Sequence, residues 1–149
     1  MLALELNPSE NDKAETLFYL AKTKYELNDT AGAIEGYNQV LSINPDDSRA
    51  KDALLAIKYN PRFEDLKNKG DNEKLTRLNV EYLKERIKIF PEWIPFYRDI
   101  IRQNSNLRNF EEVIKYSTIL IELSNKQGQE LTAYDYNQIG ASYRESKQL

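Results

Sequence analysis

Apolar side chains recur every three or four residues along most of this chain of 149 residues, and glycine and proline, five of each, interrupt the pattern at few points. Because an α-helix turns once every ~3.6 residues, this spacing places the apolar side chains on one helical face. Few segments show the strict alternation of a half-buried strand. The sequence therefore predicts an all-α fold.

The clearest part of the pattern is a pair of helices near the start of the chain. The first is predicted over 14–27, after which Asn28 and Asp29 break the spacing. The second is predicted to begin near Thr30, whose hydroxyl can cap free backbone amides, and to end before Pro45. Since about two residues join two helices of about 14 residues each, the helices must pack antiparallel as a hairpin.

Residues 14–47 resemble a tetratricopeptide repeat, a helical hairpin of 34 residues. Small residues are expected where the paired helices approach most closely, and larger ones around them. The positions that match the family pattern are Leu17, Leu20, Ala21, Ala33, Tyr37, Val40 and Pro45. The resemblance implies that the hairpins stack into a right-handed superhelix, whose concave groove is lined by first helices and binds a peptide or another protein.

The resemblance extends to further repeats of different quality. Residues 1–10 resemble the tail of a preceding repeat, 94–126 a further repeat, and 132–149 the first helix of a further or capping repeat. Residues 48–93 are irregular, because 46 residues rather than 34 separate Pro45 from Pro91. Asn60 and Pro61 are predicted to interrupt the first helix of this repeat, leaving a short helical turn over 63–69. We expect a single repeat domain that is a fragment of a longer protein.

Composition excludes several classes of enzyme and metal protein. The chain has no cysteine and no histidine, so disulfide frameworks, cysteine nucleophiles and histidine-dependent triads are impossible. The adjacent carboxylates Glu111 and Glu112 diverge by about 100° on a helix, and Asp46 and Asp47 lie in a predicted turn. The five glycines are scattered, so no phosphate-binding loop is present. We expect no catalytic activity, no cofactor and no metal.

Charge and hydropathy narrow the class of partner. The net charge is -3, with three Lys/Arg against nine Asp/Glu in residues 1–47, which disfavours nucleic acid as a partner. Apolar runs of only a few residues are too short to insert in a membrane, since a spanning helix needs about 20. No secretory signal pattern follows Met1. The compartment stays open, with a cytoplasmic location favoured.

The resemblance to tetratricopeptide repeats also implies which residues line the groove. Arginine and lysine suit carboxylates, and asparagine can hold the backbone of an extended peptide. Alternatively, these charges only solvate exposed helical faces. The expected partner-binding residues are Phe18, Lys22, Tyr25, Arg98, Arg102, Asn137 and Arg144.

Two functional hypotheses follow. The first is a non-catalytic module that binds a protein or peptide in the groove. The second is a structural segment that docks within its own longer chain or self-associates through exposed repeat ends at 4–6 and 139–143, which would make it a homo-oligomer. The single tryptophan, Trp93, is predicted to pack over adjoining helices at a hairpin junction.

Overall fold

A computed structural model describes residues 8–147, which form seven α-helices and no β-strand, so the predicted all-α class is confirmed. The helices are α1 (Pro8–Glu26), α2 (Thr30–Ile43), α3 (Ser48–Lys69), α4 (Asn72–Ile89), α5 (Ile94–Asn106), α6 (Phe110–Gln127) and α7 (Ala133–Ser146). They divide into two compact units, one ending at Asn60 and the other beginning at Pro61. No helix among the described residues is long and apolar enough to span a membrane.

The first helix begins earlier than predicted. Most of the expected tail of a preceding repeat, residues 1–7, lies outside the described residues, and the last three residues of that segment open α1. The described part of α1 begins with Pro8 and includes the acidic Glu10. Among the described residues, α1 thus includes six residues before Ala14.

The first unit contains the predicted hairpin. Helix α2 spans Thr30–Ile43 as expected, but its cap is Asp29, whose carboxylate accepts a hydrogen bond from the Gly32 backbone amide at 2.9 Å. Helices α1 and α2 pack closely, because Ala21 is fully buried and a Cβ placed on Gly36 would lie 2.7 Å from the Ala21 Cβ. The core of this unit is formed by Ala14, Ala21, Ala33, Tyr37, Val40, Ala50 and Ile57.

The predicted interruption of the third helix at Pro61 is wrong, since α3 runs unbroken for 22 residues through that proline. An interior proline costs about 3 kcal/mol relative to alanine, so contacts on both sides must offset it. Before Pro61, Ile57 is buried in the core of the first unit. After it, the Phe63 ring packs edge-on against Tyr82 at 5.5 Å. The extra length of residues 48–93 therefore lies in two long helices.

The second unit joins the end of α3 to four further helices. Gly70, with φ of +67°, ends α3, and the Asp71 carboxylate caps α4 by accepting a hydrogen bond from the Lys74 amide at 3.0 Å. Helix α5 packs against α4, α6 and α7, and α6 packs against α7. The core is apolar and continuous. It consists of Val80, Leu83, Ile94, Phe96, Tyr97, Ile100, Ile101, Val113, Tyr116 and Leu120.

Candidate peptide-binding surface

Polar side chains join helices α5 and α7, each predicted to be the first helix of a repeat, in the second unit. The Arg98 guanidinium donates hydrogen bonds of 3.0 to 3.1 Å to both oxygens of the Asp135 carboxylate. Further along, the Ser105 hydroxyl donates to the Gln138 side-chain oxygen at 2.9 Å. These contacts hold α5 and α7 side by side. The exposed side chains of Arg102, Tyr134 and Asn137 form a surface on these two helices, which we call the α5–α7 surface.

Asp135 is the centre of this connection. Only 3% of its side chain is exposed, and its carboxylate also accepts a hydrogen bond of 2.8 Å from the Thr132 backbone amide. The Thr132 hydroxyl in turn accepts one from the Asp135 amide at 3.2 Å, which completes a capping box. Burial by itself raises the pKa of Asp135, but hydrogen bonds from Arg98 and Thr132 outweigh it and hold this pKa below its usual value. Asp135 is therefore an ionised anchor that both starts α7 and fixes it to α5.

The first unit repeats this arrangement between α1 and α3. The Arg49 guanidinium contacts the Glu15 carboxylate at 2.8 Å and the Asp47 carboxylate at 2.9 Å, and it lies 4.7 Å above the centre of the Phe18 ring. The Asn60 side-chain amide donates to the Tyr25 hydroxyl at 2.9 Å. The helix-joining pairs in the two units are 33 to 37 residues apart in sequence, close to one 34-residue repeat.

Asp47 also starts a helix, but its ion-pair partner Arg49 lies on that same helix, α3, and the link to α1 runs from Arg49 to Glu15. Asp47 is buried, and one carboxylate oxygen accepts hydrogen bonds from the backbone amides of Arg49 and Ala50 at 3.0 and 3.1 Å. Burial raises the pKa of Asp47, but the Arg49 guanidinium and these amides lower it more, so the net shift is downward. In each unit a buried aspartate at the start of a helix, α3 or α7, thus forms an ion pair with an arginine.

The predicted site residues of the first unit are partly occupied by these contacts. Phe18 is half-buried between Arg49 and the Tyr37 ring, whose centre lies 5.5 Å away. Tyr25 is also half-buried. Lys22 is exposed, and its ammonium group lies 4.0 Å from the Glu26 carboxylate, the limit for an ion pair. Of the three predicted site residues in the first unit, only Lys22 is therefore exposed.

The four predicted site residues of the second unit fall into two kinds. Arg98 is bound to Asp135, and Arg102 is ion-paired with Asp99 at 2.6 Å while remaining exposed. Asn137 and Arg144 are both exposed on α7, and Arg144 forms no ion pair within residues 8–147. Most of the predicted cationic residues are therefore neutralised by carboxylates of the same unit, and amide and aromatic groups are prominent on the α5–α7 surface.

Sequence reasoning missed the roles of Asp135 and Arg49. The threonine and aspartate three residues apart at 132 and 135 form a capping-box pattern that could have located the start of α7. No local signal pointed to Arg49, because its partner Glu15 lies 34 residues away. Trp93 contacts the Phe96 ring edge-on, but 56% of its surface is exposed, so it covers less of the junction than predicted.

Another two ionisable groups with shifted pKa values form a structural ion pair. Lys84 lies 2.8 Å from Glu112, an ion pair that lowers the pKa of Glu112 and raises that of Lys84. Residues 8–147 contain no cluster of three or more acidic side chains arranged to hold a metal ion. An open cleft of about 380 Å³ lies between the end of α3 and α4, and its charged walls include the doubly hydrogen-bonded pair of Arg62 and Glu81.

Comparison of the chain with models of protein families and with curated proteins found no match in either case. The all-α class is established by the helices themselves. Membership of the tetratricopeptide repeat family stays a prediction from the sequence pattern.

Proposed function

We propose that this chain is a non-catalytic interaction module, built as a superhelix of tetratricopeptide type, that binds a peptide or protein segment on the surface of its first helices. The observation that carries the proposal is the repeated polar connection between successive first helices, α1 with α3 and α5 with α7. Because these contacts already connect the helices, their outward side chains are presented without further rearrangement, which lowers the cost of binding a partner.

The chemistry of the α5–α7 surface favours an extended backbone over a cluster of carboxylates. Its exposed groups include the Tyr134 ring, the Asn137 amide and the Arg102 guanidinium. An asparagine amide can donate to and accept from a peptide backbone, and a tyrosine offers apolar area with little entropy loss. Since Arg98 is neutralised by Asp135, binding should depend only weakly on salt.

A peptide selection tests this proposal. Random peptides are selected by display on the purified chain, and the dissociation constant of an enriched peptide is measured by fluorescence polarisation. We expect Arg102→Glu to weaken binding by about tenfold or more, the effect expected of a residue important for binding.

Lys88→Glu is the matched control. Lys88 on α4 is exposed and ion-paired with the carboxylate three residues before it, Glu85, as Arg102 is with Asp99. Both substitutions therefore replace a surface cation by a carboxylate, which repels the carboxylate that was its ion-pair partner. Equal affinity of the two variants, or failure to enrich any peptide, would contradict the proposal.

A further inference from the structure

The outward face of α7 exposes aromatic side chains that no described element covers. Tyr136 and Tyr143 are 62% and 45% exposed, and a Cβ placed on Gly140 between them would meet nothing within 4 Å. The corresponding small site of α1, Ala21, is fully buried because α2 packs over it with Gly36. Helix α1 is thus covered by a second helix at the position where α7 is open.

The spacing along α7 fits a second helix lying against this face. Three positions lie seven residues apart and hold Ala133, Gly140 and Lys147. Each of the first two is followed three residues later by a tyrosine, Tyr136 or Tyr143. Positions at these intervals share one side of a helix. The absence of large side chains at 133 and 140 permits close approach of another backbone, as between α1 and α2. The face defined by these five residues is called the Gly140 face.

We infer that the Gly140 face binds a second copy of this chain, with the two α7 helices antiparallel about a two-fold axis near Gly140. In this arrangement the residue four positions before Gly140 in one copy lies opposite the residue four positions after Gly140 in the other. Tyr136 would therefore face Arg144 of the partner subunit, and the reverse pair is identical by symmetry. A guanidinium over a tyrosine ring is a favourable cation–π contact.

The charges around the Gly140 face support a second copy. Arg144 forms no ion pair within residues 8–147, so it is available to the tyrosine of another copy. The two carboxylates of α7 are occupied elsewhere, since Asp135 is buried against Arg98 and Glu145 lies 3.8 Å from Arg108. No carboxylate repulsion therefore opposes the pairing of two identical faces.

This inference goes beyond the proposed peptide site, because it concerns a different side of α7. The two can fail separately. Loss of self-association would leave the effect of Arg102→Glu on peptide binding intact, whereas failure of peptide selection would leave the oligomeric state unchanged. Asn137 borders both regions, so its substitution would not distinguish peptide binding from self-association.

Sedimentation equilibrium over about 5 to 500 µM tests the inference, because an interface of one helix pair is small and its affinity modest. We expect a reversible dimer, and we expect Gly140→Arg to raise its dissociation constant by about tenfold or more. The new side chain enters open space, so circular dichroism should show an unchanged fold. Thr118→Arg, at an exposed position of α6, is the control and should dimerise like the parent chain.

Cysteine cross-linking tests the symmetry, since the chain contains no cysteine of its own. Gly140→Cys places two thiols near the axis, where Cα atoms can come within about 7 Å, the limit for a disulfide. Under mild oxidation it should form a covalent dimer about tenfold faster than Thr118→Cys. A mixture of Tyr136→Cys and Arg144→Cys chains should cross-link mainly as the heterodimer. A monomeric parent chain, an unchanged dimer in Gly140→Arg, or equal cross-linking at positions 140 and 118 would overturn the inference.

Discussion

The role of Arg98 can be tested directly, because the structure makes it a structural residue whereas the sequence suggests a free cation for binding. We consider Arg98→Met, which keeps an unbranched apolar stem and removes the guanidinium. The change leaves the buried Asp135 carboxylate without its ion-pair partner. Breaking a fully buried pair costs about 3–5 kcal/mol, and since Arg98 is 30% exposed, water moderates the loss. We expect a decrease of about 2 kcal/mol in the free energy of unfolding.

Urea unfolding at pH 7, followed by circular dichroism and by Trp93 fluorescence, measures this decrease. Trp93 is the single tryptophan and immediately precedes α5, so it reports on the unit that contains the ion pair. Arg102→Met is the control. Its ion pair with Asp99 is exposed on both sides, so removing it should cost about 0.5 kcal/mol or less.

The pH dependence gives an independent check of the same reasoning. In the parent chain the pKa of Asp135 is lowered, so the stability it contributes is present above its usual pKa near 3.9 and is lost as the pH falls through the lowered value. Without Arg98, burial acts with less opposition and the pKa of Asp135 rises. The carboxyl then takes up a proton at a higher pH than in the parent chain, so Arg98→Met should cost less at acidic pH than at pH 7. A cost equal to that of Arg102→Met, or one independent of pH, would refute this account and leave Arg98 free for ligands.

Three further outcomes are expected. Gly36→Ala should destabilise the first unit by about 1 kcal/mol despite the better helix propensity of alanine, because the new methyl would lie 2.7 Å from the Ala21 Cβ. Gly140→Ala places its methyl in open space and should stabilise the chain by about 0.5–1 kcal/mol. Urea unfolding followed by circular dichroism would show both effects. Asp47→Asn should lower stability by about 1–2 kcal/mol at pH 7, since it removes an ionised cap paired with an arginine, and equal melting temperatures would contradict this. Because the lowered pKa values of Asp47 and Asp135 place their loss of stability below pH 4 and the chain has no histidine, thermal melts should show nearly constant stability from pH 6 to 8.

The helices that sequence reasoning predicted best are those with complete local signals. Helix α2 has an apolar face of regular spacing and a proline shortly after its end, and its bounds were correct. Helix α3 was predicted wrongly because the rule for proline is local, whereas buried Ile57 and the Phe63–Tyr82 contact stabilise the helix from outside its own sequence. Tertiary packing outweighed a local preference.

The candidate surface was harder to predict than the fold, since it depends on pairs about one repeat apart. The sequence identified Arg98 and Arg102 as outward groups, but their availability depends on Asp135 and Asp99. The pair of Arg102 and Asp99 could have been predicted, because residues three positions apart are neighbours on a helix. Predicting the pair of Arg98 and Asp135 requires the register between α5 and α7, which no local pattern in the sequence determines.

The most direct test of the proposed function is a titration of the isotopically labelled chain with a selected peptide, followed residue by residue in amide NMR spectra. The proposal predicts saturable shifts at exposed first-helix positions such as Arg102, Tyr134 and Asn137, with α6 positions such as Thr118 unaffected. Shifts confined to the second helices α2 and α6, or no saturable shift, would contradict the claim that the first helices form the binding surface.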